Sequence, residues 1–118
     1  MEKELTKLNT SDDDSILSPD LLENTHPGQM LREDFLEPLS ITPYKLAKGT
    51  GLSQIHISEV LRGKRSITPM TSLLLGKFFG MSPQFWLNLQ NRYDLIDAER
   101  SNPERLKQVI PYADLRAA

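Results

Sequence analysis

The stretch Thr42-Pro-Tyr-Lys-Leu-Ala-Lys-Gly-Thr-Gly-Leu-Ser-Gln-Ile-His-Ile-Ser-Glu-Val-Leu-Arg-Gly-Lys-Arg65 decides the fold. Thr42-Pro43 reads as a helix start. The threonine oxygen accepts from a free backbone N–H of the first turn, and proline fits the first helical position because its missing N–H costs nothing there. Gly49 and Gly51 bracket a break after Tyr44–Lys48, and Gly63 ends a second helix over Gln54–Arg62. Ala47 is small where the two helices cross, Gly51 makes the turn and Leu52 plugs the core. Ile57 and Val60 hold the second helix against the first. Close packing at an elbow, with one helix left to present outward, is what a helix-turn-helix unit requires. The alternative is an αα-corner inside an ordinary helical domain. The basic cluster that follows the second helix favours the DNA-binding unit.

With Ile57, Val60 and Leu61 turned inward, Gln54, Ile55, Ser58, Glu59 and Arg62 fall on or beside the outward face. Gln54 can pair bidentately with an adenine edge, Ile55 suits a thymine methyl, and Glu59 can accept from cytosine. Ser53 caps the helix and joins the base-reading set with Gln54, Ile55, Ser58 and Glu59. Thr42, Lys45, Arg62, Lys64 and Arg65 suit backbone phosphates, which position a protein on DNA without reading sequence.

The formal net charge of −2 on 118 residues argues superficially against a nucleic-acid partner. Its distribution does not. Residues 1–26 hold seven acids against two lysines, whereas Thr42 to Lys77 holds six basic residues and one acid, Glu59. A local positive field of that size is the footprint a phosphate backbone selects, although a solvated basic face would look the same.

Outside the elbow, Ser18-Pro19, Thr68-Pro69, Ser82-Pro83 and Asn102-Pro103 repeat the cap-and-proline signature, while His26-Pro27 opens a helix less securely because histidine caps poorly. Pro38 and Gly80 supply further stops. The reading is all-α, a five- to six-helix Cro/repressor-like helix-turn-helix domain, with helices over 28–37, 43–49, 53–62, 69–79, 83–98 and 103–109. Helical spacing turns inward Met30, Leu31 and Phe35; Leu46 and Ala47; Met70, Leu73, Leu74 and Phe78; and Phe85, Trp86, Leu89, Tyr93 and Ile96. Gly76 inside the fourth helix asks for a close neighbour. Residues 1–25 are expected to form a flexible acidic segment, 26–98 the domain, and 99–118 a tail with a short helix.

Other chemistry finds little support. There is no cysteine, so no disulfide framework or thiolate metal site is expected, which suits a reducing cytoplasm. No apolar run approaches the ~20 residues of a membrane span. His26 and His56 lack partners at ligand spacing, Asp12–Asp14 reads as a solvated run, and Gly49-Thr-Gly51 lacks the flanking strand of a phosphate loop. Neither catalysis, a cofactor nor a metal is expected.

Three further blocks carry a resemblance: His26-Pro-Gly-Gln-Met-Leu-Arg-Glu-Asp-Phe-Leu-Glu-Pro-Leu39, Val60-Leu-Arg-Gly-Lys-Arg-Ser-Ile-Thr68, and Phe79-Gly-Met-Ser-Pro-Gln-Phe-Trp-Leu-Asn-Leu-Gln90 with Tyr93-Asp-Leu95. Over about residues 26–97 the chain resembles the HigA-type antitoxins of the Xre/Cro-like helix-turn-helix superfamily. The resemblance implies an antitoxin that neutralises a HigB-like mRNA endonuclease toxin and, as a homodimer, binds operator DNA to repress its own operon. A stand-alone regulator of the same fold is the alternative. It also implies dimerisation largely through the helix after the helix-turn-helix unit. That agrees with the apolar load of the fifth helix, from which Phe85, Trp86, Leu89 and Tyr93 are taken as the dimer interface; intramolecular packing of the same residues is the competing account. A two-fold partner would set the reading helices about 34–36 Å apart, one DNA turn. Toxin binding is left to one of the two extensions, with the acidic segment 1–25 favoured over the tail and Leu17, Leu21 and Leu22 as its docking turn; a merely solubilising segment is the competing reading.

Overall fold

In the computed structural model, residues 23–117 are described. Thr25–Ala98 form one compact unit, and Glu99 onward belongs to a second. The Ser18-Pro19 start, Leu17, Leu21, Leu22 and nearly all of the acidic segment lie outside the described residues.

The first unit opens with α1 (Pro27–Met30), continued by a π-helical stretch, Leu31–Leu36. There follow α2 (Pro43–Thr50), α3 (Gln54–Leu61), α4 (Pro69–Phe79) and α5 (Pro83–Ser101). Among the described residues there is no strand. The expected caps at Thr42, Ser53 and Thr68 form: their side-chain oxygens accept from the backbone N–H of Lys45, His56 and Thr71 respectively. The Ser82 hydroxyl accepts from Gln84 N at 3.2 Å. His26 does better than its residue type promises, because its Nδ1 accepts from Gly28 N at 2.9 Å.

Leu31, Leu46, Ile57, Val60, Ile67, Leu75 and Trp86 form the centre of the core, each at most 2 % exposed. Fully burying a side chain of this size contributes about 1.5–3 kcal/mol. Phe35 joins them to an aromatic knot, its ring centroid 4.8 Å from that of Trp86 and 5.3 Å from that of Phe79.

Several expectations are corrected. Gly49 lies inside α2 rather than ending it, and its bare Cα accommodates the Phe78 ring: a Cβ there would sit 2.3 Å from a ring carbon. The helix ends at Gly51, whose φ of 83° is left-handed. The inward face of α4 is not Met70 and Leu73, which are 62 % and 50 % exposed, but Thr71, Ser72, Leu75 and Gly76. Small residues line that face because the chain returns closely over it, with Met81 O at 2.7 Å from a Cβ built on Gly76. The anticipated close neighbour of Gly76 is thus the start of α5.

In the second unit, α5 runs to Ser101, beyond the expected 98, and is followed by α6 (Pro103–Lys107) and α7 (Tyr112–Ala117), the latter unforeseen. Asn102 precedes α6 without making a side-chain cap bond. The large apolar residues Leu106, Val109, Ile110, Tyr112 and Leu115 are all exposed. Among the described residues no helix is long and apolar enough to cross a membrane.

Candidate nucleic-acid interface

Ala47, 5 % exposed, lets α2 and α3 approach at the elbow, and Leu52 packs against the core between them. Thr50 ties the turn, donating its hydroxyl to Leu46 O at 2.7 Å and accepting from Leu52 N at 3.3 Å. Ile57, Val60 and Leu61 are buried, which fixes the rotation of α3 and leaves Ser53, Gln54, Ile55, Ser58 and Arg62 exposed. Ile55 is 70 % exposed. It takes no part in the core.

The residues expected to meet phosphate, Thr42, Lys45, Arg62, Lys64 and Arg65, are likewise exposed. The oxygens of Thr42 and Ser53 serve as cap acceptors, and each hydroxyl keeps its own hydrogen to donate. Tyr44, Lys48, Leu52, Ser53 and Gln54 line a groove at the elbow, so the end of α2 and the start of α3 present one continuous surface.

Glu59, expected to accept from cytosine, is engaged within its own chain. It is only half exposed, and its Oε1 takes both Nε and Nη2 of Arg65, at 2.9 and 2.6 Å. One residue expected to read cytosine and one expected to meet phosphate therefore meet each other. His56 lies beside this pair. Its pKa is lowered from 6.5, first by burial and then by the Arg65 charge, against an opposing pull from Glu59. Its Nε2 is buried with no hydrogen-bond partner among the described residues.

Gln90 is a buried structural support that the sequence does not announce. It is 4 % exposed; its Oε1 accepts from Ile67 N at 2.8 Å and its Nε2 donates to Asp94 Oδ1 at 2.9 Å. One end of the basic loop is thereby pinned to α5. The pairing spans 23 residues, and Gln90 is one of four amides on α5, with Gln84, Asn88 and Asn91, so the sequence does not single it out.

The expected dimer residues divide. Trp86 is 0 % exposed, sealed within its own chain, and has no surface to offer a partner. Its large ring is needed to fill the centre of the core, so that assignment is corrected. Phe85, Leu89 and Tyr93 are half-buried; Tyr93 lies edge-on to His26 with ring centroids 4.9 Å apart. Leu95 on the same helix remains 71 % exposed. Among the described residues no three histidine or acidic side chains gather as metal ligands would.

An elbow of two short helices, a capped second helix with its polar edge outward, and a basic loop behind it define a helix-turn-helix protein of the DNA-binding class. Residues 33–86 match the helix-turn-helix family. The chain is 41 % identical to virulence-associated protein I of Dichelobacter nodosus over 73 % of its own length and 79 % of the relative's. It is 36 % identical to antitoxin HigA-1 of Vibrio cholerae, covering 71 % and 79 %. An uncharacterized helix-turn-helix transcriptional regulator of Haemophilus influenzae is 39 % identical, over 65 % and 72 %. Among solved structures, Pseudomonas aeruginosa antitoxin HigA with the higBA promoter superposes at a TM-score of 0.73 and 33 % identity, covering 76 % of this chain and 99 % of that one. The chain belongs to the HigA-type antitoxin family of the Xre helix-turn-helix superfamily.

Proposed function

We propose that this chain binds operator DNA as a homodimer, represses its own operon, and neutralises a HigB-like mRNA endonuclease toxin without being an enzyme itself. The observation that carries the DNA half is the exposed Gln54–Ile55 edge at the capped start of α3, backed by Lys64 and Arg65. Gln54 and Ile55 read base edges, with Ser53 and Ser58 beside them; Thr42, Lys45, Arg62, Lys64 and Arg65 hold the backbone. The related antitoxin whose structure is solved with the higBA promoter supports this reading. Phe85, Leu89 and Tyr93, with the exposed Leu95, offer surface for the second subunit.

Binding to a duplex taken from upstream of the chain's own gene tests the DNA half. Affinity should fall steeply between 50 and 200 mM salt, as counterion release requires, and Gln54→Ala should abolish the preference for that duplex over an unrelated one. Equal affinity of the wild type for both duplexes would sink the operator reading. The toxin half is tested by co-expression with a neighbouring small reading frame that arrests growth; restored growth supports it. A second reading, a stand-alone regulator with no toxin, is favoured by the relative from Haemophilus influenzae described as a transcriptional regulator. It predicts the same DNA binding and no rescue.

A further inference from the structure

We propose that Glu59 is a positioning residue, which clasps Arg65 across the end of the reading helix and presents that guanidinium to a DNA backbone phosphate instead of reading a base. The proposal rests on the operator-binding reading above.

The backbone brings the two residues together. Gly63 is left-handed, with φ 75°. Gly63 N donates to Val60 O at 3.0 Å and Lys64 N to Glu59 O at 2.8 Å, the paired bonds of a Schellman motif. The motif folds the chain back over the last turn of α3, so that Arg65, six residues beyond Glu59, reaches its carboxylate. Further along, the Gln90 bond to Ile67 N pins the loop on its other side. Arg65 thus extends from a backbone held before and after it.

The chemistry of the pair fits presentation. A guanidinium has five N–H donors in one plane. Glu59 takes Nε and Nη2, leaving the Nη1 edge to a second acceptor, and the Arg65 side chain is 45 % exposed. Exposed pairs of this kind add little to stability, so the consequence of the clasp lies in where the guanidinium is held. An unpaired carboxylate on a surface facing DNA would repel it; the ion pair removes that penalty while the remaining donors stay available. For Glu59 to accept from a cytosine, its carboxylate would have to share or abandon the clasp.

The test is a double-mutant cycle on the full chain with the upstream duplex, measured across a salt series and across single base-pair substitutions. Arg65→Ala should weaken binding to every sequence alike and reduce the salt slope by about 1. Glu59→Ala and the isosteric Glu59→Gln should weaken it in the same sequence-independent way. The Glu59→Ala/Arg65→Ala double variant should bind no worse than Arg65→Ala alone, with the circular-dichroism melting curves of all variants coinciding. Additive losses, or a change of preference at one C·G pair on replacing Glu59, would overturn the positioning role while leaving operator binding intact. A wild type that ignores the upstream duplex would overturn the operator reading and this role together.

Discussion

Gly28 shows how much a single residue settles. A Cβ built there would lie 1.8 Å from Val60 O, so the α1 backbone rests directly on the backbone of α3. Gly28→Ala must push the two apart, and an overpacked site of this kind costs about 1–3 kcal/mol or more; urea denaturation should show that loss. An unchanged midpoint would mean that the contact is not made. The same residue marks a limit of sequence reading. Gly51, Gly63 and Gly80 were legible as stops because a left-handed turn is a local requirement. Gly28, Gly49 and Gly76 serve partners at Val60, Phe78 and Met81, and the string of letters does not pair them.

Among the elements, the helix starts were the most legible, because a cap and a proline act within one turn. Faces were less so. Met70 and Leu73 look like core by hydropathy, yet α4 buries Thr71, Ser72 and Gly76, since closeness to the returning chain outweighs apolar area there. The outward edge of α3 is legible because Ile57, Val60 and Leu61 turn inward as their spacing predicts. The contact of Glu59 with Arg65 is not legible in the sequence, because it depends on the fold-back after Gly63. Gln90, the link between α5 and the basic loop, belongs to this scale too. Gln90→Leu would leave Ile67 N buried without its acceptor, at a cost of about 1–3 kcal/mol. The expected result is a lower melting temperature together with faster amide exchange at Ile67. Normal protection of that amide in the variant would contradict the link.

At the scale of the whole molecule, the two histidines contribute to the response to acid. His26 is held below its ordinary 6.5 by burial, more than Asp94 raises it, and His56 shifts the same way. The unfolded chain therefore takes up protons first, so stability is full above about 6.5 and declines as pH drops towards the folded values. Urea midpoints measured from pH 7.5 to 5.5 should fall. His26→Asn, which keeps a cap acceptor, should flatten the decline. A midpoint that rises on acidification would reverse the assignment. The turns over Leu31–Leu36 carry a different consequence, for tolerance of changes in chain length. A π-turn holds more residues than the α-turn it replaces. Deleting one residue there removes the surplus and lets ordinary winding resume, with the flanking turns keeping the faces they bury. A one-residue deletion at this place would therefore be absorbed as local rewinding, whereas the same deletion in the regular turns of α4 would rotate the rest of that helix by roughly 100° about its axis.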